Sequence, residues 1–317
     1  MFRNLKHFIT FCLILALVAC DTELEIDMPE PEPKLVMSTL FMPLVPPYPK
    51  PINVKLWESA PILDTAASVQ IQDAEVLWFE NGILVDTLSY KDKSNGYTVP
   101  YFYFPEVGKE YSIMISKEGY FPLSASCIVP QKVNIDSLSI IALAGMNDEK
   151  SAYSAVTLTF HDPENEENYY DFVISDAGER YYRLWTSEQI ITQEAYYPSD
   201  LALEQKKPKR LLFNDSTFDG KEKTIVLYYE PPQQEDFNKR WISTHFVFVE
   251  LRSVTKEYYK YFTSVIQNQN SREGDLFYGL GEPLNAYTNV ENGYGIFAGY
   301  NADGQSIRVD STTVYTR

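Results

Sequence analysis

The sequence predicts a mainly β protein: an N-terminal β-sandwich followed by a second β-rich domain that carries one packed amphipathic helix. Three observations predict it. Between residues 34 and 131 apolar side chains recur with period two, as in Val54 and Leu56, Val76 and Trp78, and Tyr111, Ile113 and Ile115, the spacing of strands that bury one face. Turn dipeptides separate these runs. Asn81-Gly82 parts AEVLWFE from ILVDTLSY and suits a tight hairpin, whose two central residues take positive φ. One stretch instead has helical period, residues 255–269, where Thr255 is placed to cap, Glu257 sits in the first turn, and Tyr258, Phe262, Val265 and Ile266 fall on one face.

In chain order, residues 1–19 come first. Arg3 and Lys6 precede an apolar run from Phe8 to Ala19, about a dozen residues long, too short to span a bilayer and the size of a signal-peptide core. The run ends in Leu17-Val18-Ala19 directly before Cys20. This arrangement resembles a bacterial lipobox, in which the signal is cleaved and the cysteine is acylated as the mature N-terminus. The resemblance implies lipidation of Cys20 and anchoring to a membrane by that lipid. Residues 20–33, with DTELEIDMPEPEP after the cysteine, are acidic and proline-rich and form a tether. Acidic residues in this place also resemble the signal that sends Bacteroidota lipoproteins to the outer leaflet, and a merely solvated linker explains them equally.

Cleavage removes two cations and no acid, moving the net charge from −17 to −19. So acidic a surface repels phosphate backbones, which excludes nucleic acid as a partner, and leaves the lipid as the means of attachment. Beyond Cys20 only Cys127 remains, so no intramolecular disulfide forms and stability comes from burial. Aromatics make up 15% of the chain, with 24 Tyr and doublets such as Tyr169-Tyr170, Tyr228-Tyr229 and Tyr258-Tyr259. On a strand such a doublet puts one ring on each face.

The order of strands and of NG, GKEY and GY turns in residues 34–131 resembles an immunoglobulin-like or prealbumin-like module. Residues 132–317 open with VNIDSLSIIAL and SAYSAVTLTFHDPENEENYYDFVIS, joined at an Asp162-Pro163 turn. A less regular stretch, 181–223, contains the basic cluster Lys206, Lys207, Lys209 and Arg210 and reads as a long exposed loop or excursion. Strand character returns in IVLYYE and THFVFVELRSV, then the helix, then glycine-punctuated strands through GYGIFAGY and SIRVDSTTVY.

The helix and the closing segment hold the most specific motifs: Glu257, Tyr258 and Tyr259; Glu282 and Pro283; Asn285, Tyr287, Asn289, Glu291, Asn292 and Gly293; Gly295, Ile296, Phe297, Gly299 and Tyr300. Together they resemble a Bacteroidota outer-membrane lipoprotein family known as domain of unknown function number 4249, and PKLVMSTLF, the AEVLWFENG hairpin and PEVGKEYSIMISKEGYFP extend the likeness over nearly the whole mature chain. Thr288 stands where Ser is usual. Members of that family resemble partners of TonB-dependent receptors, so the resemblance implies such a receptor as partner. It implies no reaction. The closing motif reads as structure first, a turn at Asn292-Gly293 and glycines where backbones bend or approach. Its alternative is a ligand or partner surface lined by Asn285, Tyr287, Asn289 and Glu291.

No phosphate loop, zinc-protease motif, nucleophile elbow or calcium loop is present, and Gly293, Gly295 and Gly299 miss the dinucleotide spacing. Of the mature histidines, His161 and His245, each reads as a satisfied histidine in an apolar strand context rather than a ligand. The acidic run Asp162, Glu164, Glu166, Glu167 and Asp171 reads as a solvated hairpin tip, the alternatives being calcium or a glycosidase pair. Asp64-Thr65-Ala66, Asp86-Thr87-Leu88, Asp136-Ser137-Leu138 and Asp310-Ser311-Thr312 resemble short O-glycosylation motifs of exported Bacteroidota proteins. The reading is therefore a surface-exposed, lipid-anchored outer-membrane protein without cofactor, metal or catalytic residues, serving a receptor in nutrient uptake. An envelope hydrolase acting on peptide or glycan, and a structural or adhesive module, are the alternatives.

Overall fold

The computed structural model describes residues 32–43, 51–60, 68–94, 96–100, 103–147, 151–176, 180–186, 208–236, 239–278 and 285–316. Cys20, the tether up to residue 31, Asp64 to Ala66, Lys206, Lys207, Glu282 and Pro283 lie outside them.

The N-terminal strands are β1 (Leu35–Phe41), β2 (Asn53–Glu58), β3 (Glu75–Glu80), β4 (Ile83–Lys91), β5 (Gly96–Thr98), β6 (Glu110–Ser116) and β7 (Leu123–Ile128). Alternation in the sequence becomes alternation in burial: along β1 every second side chain is buried, and in β6 Tyr111, Ile113 and Ile115 are the buried set. Asn81 and Gly82 take φ of 48° and 75° between β3 and β4, as the hairpin requires. The inward rings of Phe41 and Trp78 meet Phe297 from the far end of the chain at centroid distances of 5.2 Å and 5.4 Å, and Tyr111 packs on both at 5.5 Å and 6.0 Å.

The second half comprises β8 (Ile135–Met146), β9 (Ala152–His161), β10 (Tyr169–Ser175), β11 (Leu184–Trp185), β12 (Leu211–Asn214), β13 (Glu222–Tyr229), β14 (Gln233–Asp236), β15 (Lys239–Ile242), β16 (His245–Val254), α1 (Lys256–Tyr278), β17 (Tyr294–Val309) and β18 (Val314–Thr316). The protein is mainly β, with one helix among the described residues. Eleven strands join in the order β12-β10-β16-β17-β1-β2-β5-β4-β3-β6-β7, five more in the order β11-β13-β9-β8-β18, and β14 pairs with β15. Packing of the five-stranded sheet on β10, β12, β16 and β17 buries a sandwich core that includes Leu158, Phe160, Tyr170, Phe172, Phe213 and Val249. A second core lies inside the N-terminal strands and a third under α1.

Residues 131 and 132, where the sequence divides the chain, fall between Val129 of the N-terminal core and Val133 of the sandwich core. The backbone ladder runs across that division, because β1 pairs in parallel with β17 from Val36↔Tyr294 to Phe41↔Gly299. The N-terminal part of the sheet also curls back to β17: the Gly299 N–H donates to Cys127 Sγ of β7 at 3.2 Å. Burial pushes that thiol up to about 12, so it stays protonated and unreactive.

Within the stretch that reads as an exposed loop or excursion, 181–223, the structure forms β11 and β12 and buries Leu211, Leu212 and Phe213. Arg210 leaves the expected solvent cluster because its guanidinium lies 3.9 Å from the Phe262 ring on α1. Packing against the helix outweighs the local run of polar residues.

Candidate functional site

The surface that the sequence proposes is a tie between three elements. Asn285 is exposed. The Tyr287 backbone N–H donates to Ser264 Oγ on α1 at 2.7 Å, and Lys260 Nζ lies 5.5 Å from the Tyr287 ring. Asn289 uses its whole amide on one residue of β17: Nδ2 donates to the Phe297 carbonyl at 2.7 Å and Oδ1 accepts from its N–H at 3.0 Å. This copies a ladder pair with a side chain. Glu291 bridges to β7, its N–H donating to the Ser124 carbonyl at 2.8 Å and its Oε2 accepting from Ser124 Oγ at 2.9 Å. Asn292, at φ 58°, donates to the Pro122 carbonyl. The segment thus joins α1, β17 and β7, and Asn289 and Glu291 are engaged in closing the fold.

The acidic run does not stay together. Asp162 is buried rather than solvated, since Tyr170 donates its hydroxyl to Oδ1 and the Gly220 N–H donates to Oδ2 at 3.0 Å. Carboxylates of Asp162, Asp215 and Asp219 come within 4.8 Å of one another, close enough to share a cation. Each also accepts from loop backbone, Asn168 N–H to Asp215 at 2.8 Å and Asn165 N–H to Asp219 at 3.0 Å, so the group braces the loops around Asn165 and Gly220. Burial raises the Asp162 pKa against the lowering effect of those bonds. Glu164 and Glu166 are exposed, and Glu167 pairs with Lys256 at 2.7 Å.

Asp171 goes elsewhere, to the face of β10 under α1. There it is fully buried with Arg252 of β16 and Tyr258 of α1. Tyr258 donates its hydroxyl to Asp171 Oδ2 at 2.6 Å, while Arg210 and Arg252 each bring a guanidinium nitrogen to 3.7 Å from the same oxygen. Arg252 also donates to Glu250 at 2.6 Å and to the Tyr181 hydroxyl at 3.2 Å. Burial opposes its charge, but Tyr300, Glu250, Tyr258 and Asp171 around it hold its pKa well above the ordinary value. Burial chiefly, and then Asp171, pushes the Tyr258 hydroxyl up. Sequence reading missed this cluster: Asp171, Arg252 and Tyr258 come from two strands and a helix, and only their placement in otherwise apolar runs marked them.

The histidines differ from one another. His245 is half-buried, Nδ1 donating to the Ser243 carbonyl at 2.6 Å and Nε2 beside the Tyr229 hydroxyl at 3.3 Å. His161 is exposed at the end of β9 instead of lying in an apolar setting, and pairs with Asp136 at 2.8 Å. The alternation that suggested a core position ends one residue earlier, at Phe160.

Over residues 21–306 the sequence matches the family described as "Domain of unknown function (DUF4249)". The chain belongs to that family. No curated protein and no solved structure matches it. In this DUF4249 chain the matched region includes the tie from Asn285 to Asn292 and the Asp171 cluster. Among the described residues, no helix is long and apolar enough to cross a membrane.

Proposed function

We propose that the protein is an outer-membrane lipoprotein held through Cys20, and that it works without catalysis as the partner of a TonB-dependent receptor. The observation that carries this reading is an uncharged row across the outer face of the five-stranded sheet. Val314 faces Ile141, Ile141 faces Ala155, Ala155 faces Tyr228, and Tyr228 faces Trp185. Val314 is 76% exposed and Ile141 47%, with exposed Leu143 beside them. Tyr153, Tyr228 and Trp185 form an aromatic group with ring centroids 5.5 to 5.7 Å apart. On a chain of net charge −17, an apolar and aromatic face with hydroxyl-bearing neighbours such as Thr157 and Thr224 fits a protein partner. By contrast, the acidic run that a hydrolase would use is dispersed, with Asp162 bonded to the Gly220 N–H, Glu167 paired with Lys256 and Asp171 buried under α1.

The test has two arms. Cys20→Ala is expected to leave the protein unprocessed or released from the envelope, as read by fractionation after a high-salt wash. Ile141→Lys with Val314→Lys is expected to abolish co-purification of a receptor with the native lipoprotein while leaving its melting temperature within a few degrees. Retention of the receptor by the double variant would remove this face from the reading.

A further inference from the structure

Strand β4 changes its paired side along its length. One side lies along β3 from Ile83 to Leu88. On the other, β5 covers Ser89, Tyr90 and Lys91, and among the described residues no strand pairs with 83–88 there. The cause is visible in the sequence, because β5 ends at Thr98 and Pro100 follows; a proline has no N–H to continue a ladder. The slot that a longer β5 would fill is an open groove of about 410 Å³ whose walls include Asp86, Thr87, Thr98 and Pro100.

Three consecutive exposed aliphatic residues precede Asp86 on the same strand: Ile83 is 72% exposed, Leu84 51% and Val85 36%. The register slips between Trp78 and Phe79, leaving Val85 without a cross-strand partner, a bulge at the open edge. Thr87 donates its N–H to Asp86 Oδ1 at 2.9 Å. Natural proteins guard open edges with several charges or a covering element. Here Asp86 is the one charged residue in 83–88.

We infer that the open edge of β4 is a strand-addition site for an extended segment of a partner protein, an apolar strand that places a cationic side chain opposite Asp86. Main-chain hydrogen bonds supply affinity in such pairing, and alternate side chains supply selectivity. Charge favours this occupant, since the chain itself carries −17. A second copy would bring two acidic chains together over an edge of about 20 Å, far less surface than the roughly 800 Å² per partner of a stable interface. The inference does not depend on the receptor reading.

Binding of a fluorescein-labelled synthetic hexapeptide, acetyl-KVTIKV-amide, to the purified mature chain tests it by anisotropy. Two further peptides carry N-methyl groups on one or the other alternate set of residues. Strand addition predicts that one methylated peptide binds at least tenfold more weakly while the other binds like the parent, because only one edge of the peptide faces β4. Thr87→Pro, which removes the N–H that donates to Asp86 Oδ1, and Val85→Lys are both expected to weaken the parent peptide at least tenfold with the melting temperature preserved. Equal binding by both methylated peptides, or no effect of either variant, overturns the inference. Light scattering that shows a dimer dissolved by Thr87→Pro overturns it in favour of a second copy.

Discussion

Gly295 stands at φ 112° in β17, opposite Met37 of β1, and a Cβ built on it would lie 1.8 Å from the Met37 carbonyl oxygen. No side-chain adjustment relieves a clash with backbone, so Gly295→Val is expected to cost about 3 kcal/mol or more in urea denaturation. A melting curve that superposes on the parent's would contradict the close approach of β17 to β1. The histidines make opposite contributions. Burial lowers the His245 pKa, so between that value and the unfolded value of about 6.5 the unfolded chain binds the extra proton and stability falls on acidification. The Asp136 hydrogen bond raises His161, whose contribution is complete below about 6.5 and is lost as pH rises through its folded pKa. His245→Gln is therefore expected to flatten the acid side of a melting-temperature profile between pH 5 and 8, and His161→Gln to steepen it. Identical profiles would remove both assignments. At this scale the sequence is legible where one residue has one reason: Gly295 for a close backbone, Asn81-Gly82 for a hairpin. Asn289 was not, because an amide that imitates a ladder partner looks like any polar groove residue until Phe297 is seen beside it.

Among the elements, α1 shows both what periodicity reveals and where it stops. Thr255 caps it, Oγ1 accepting from the Tyr258 N–H at 3.2 Å, and Tyr258, Phe262 and Ile266 pack on the sheet as their spacing requires. The helix runs on to Tyr278, past Gln269 where the apolar period ends. Propagation needs little once a helix is nucleated, so NSREGD continues it without leaving a pattern. The Tyr doublets obey the same geometry. Tyr169 and Tyr170 on β10 face different cores, whereas Tyr258 and Tyr259 on α1 are both buried in one, because adjacent helical residues share a flank. What fixes α1 in place is Asp171. Asp171→Ala is expected to destabilise by about 3–5 kcal/mol, since it leaves Arg252 buried and Arg210 nearly so without their common carboxylate. The pair Asp171→Leu and Arg252→Met is expected to recover part of that loss, because it removes the more deeply buried of the two guanidinium groups that share Asp171, while Arg210 remains. Urea midpoints decide it; a double variant weaker than the sum of its singles would show that shape rather than charge holds the helix.

For the whole molecule, alternation identifies strands but not their neighbours. Nothing in PKLVMSTLF points to GYGIFAGY, yet the two are hydrogen-bonded in parallel through the middle of the largest sheet. β17 is also buried continuously from Gly295 to Ala302, since the N-terminal core receives Phe297 on one face while α1 covers Ile296, Ala298 and Tyr300 on the other. A strand covered on both faces loses the period that would announce it. The arrangement makes a prediction about residues 34–131 expressed alone. Without β17 the fragment loses the Phe297 ring from contact with Phe41 and Trp78, opens the edge of β1, and loses the Asn289 to Asn292 tie that joins β7 to the rest. A fully buried Phe contributes about 1.5–3 kcal/mol, and the six positions of β1 from Val36 to Phe41 that pair with β17 become an unguarded edge. The fragment is expected to be aggregated or to lack a cooperative melt, and a version with residues 285–309 fused after a flexible linker to regain one. Far-UV circular dichroism with thermal denaturation reads both. A monomeric 34–131 fragment that melts cooperatively by itself would show that its own core suffices, and that β17 is an addition to a finished domain.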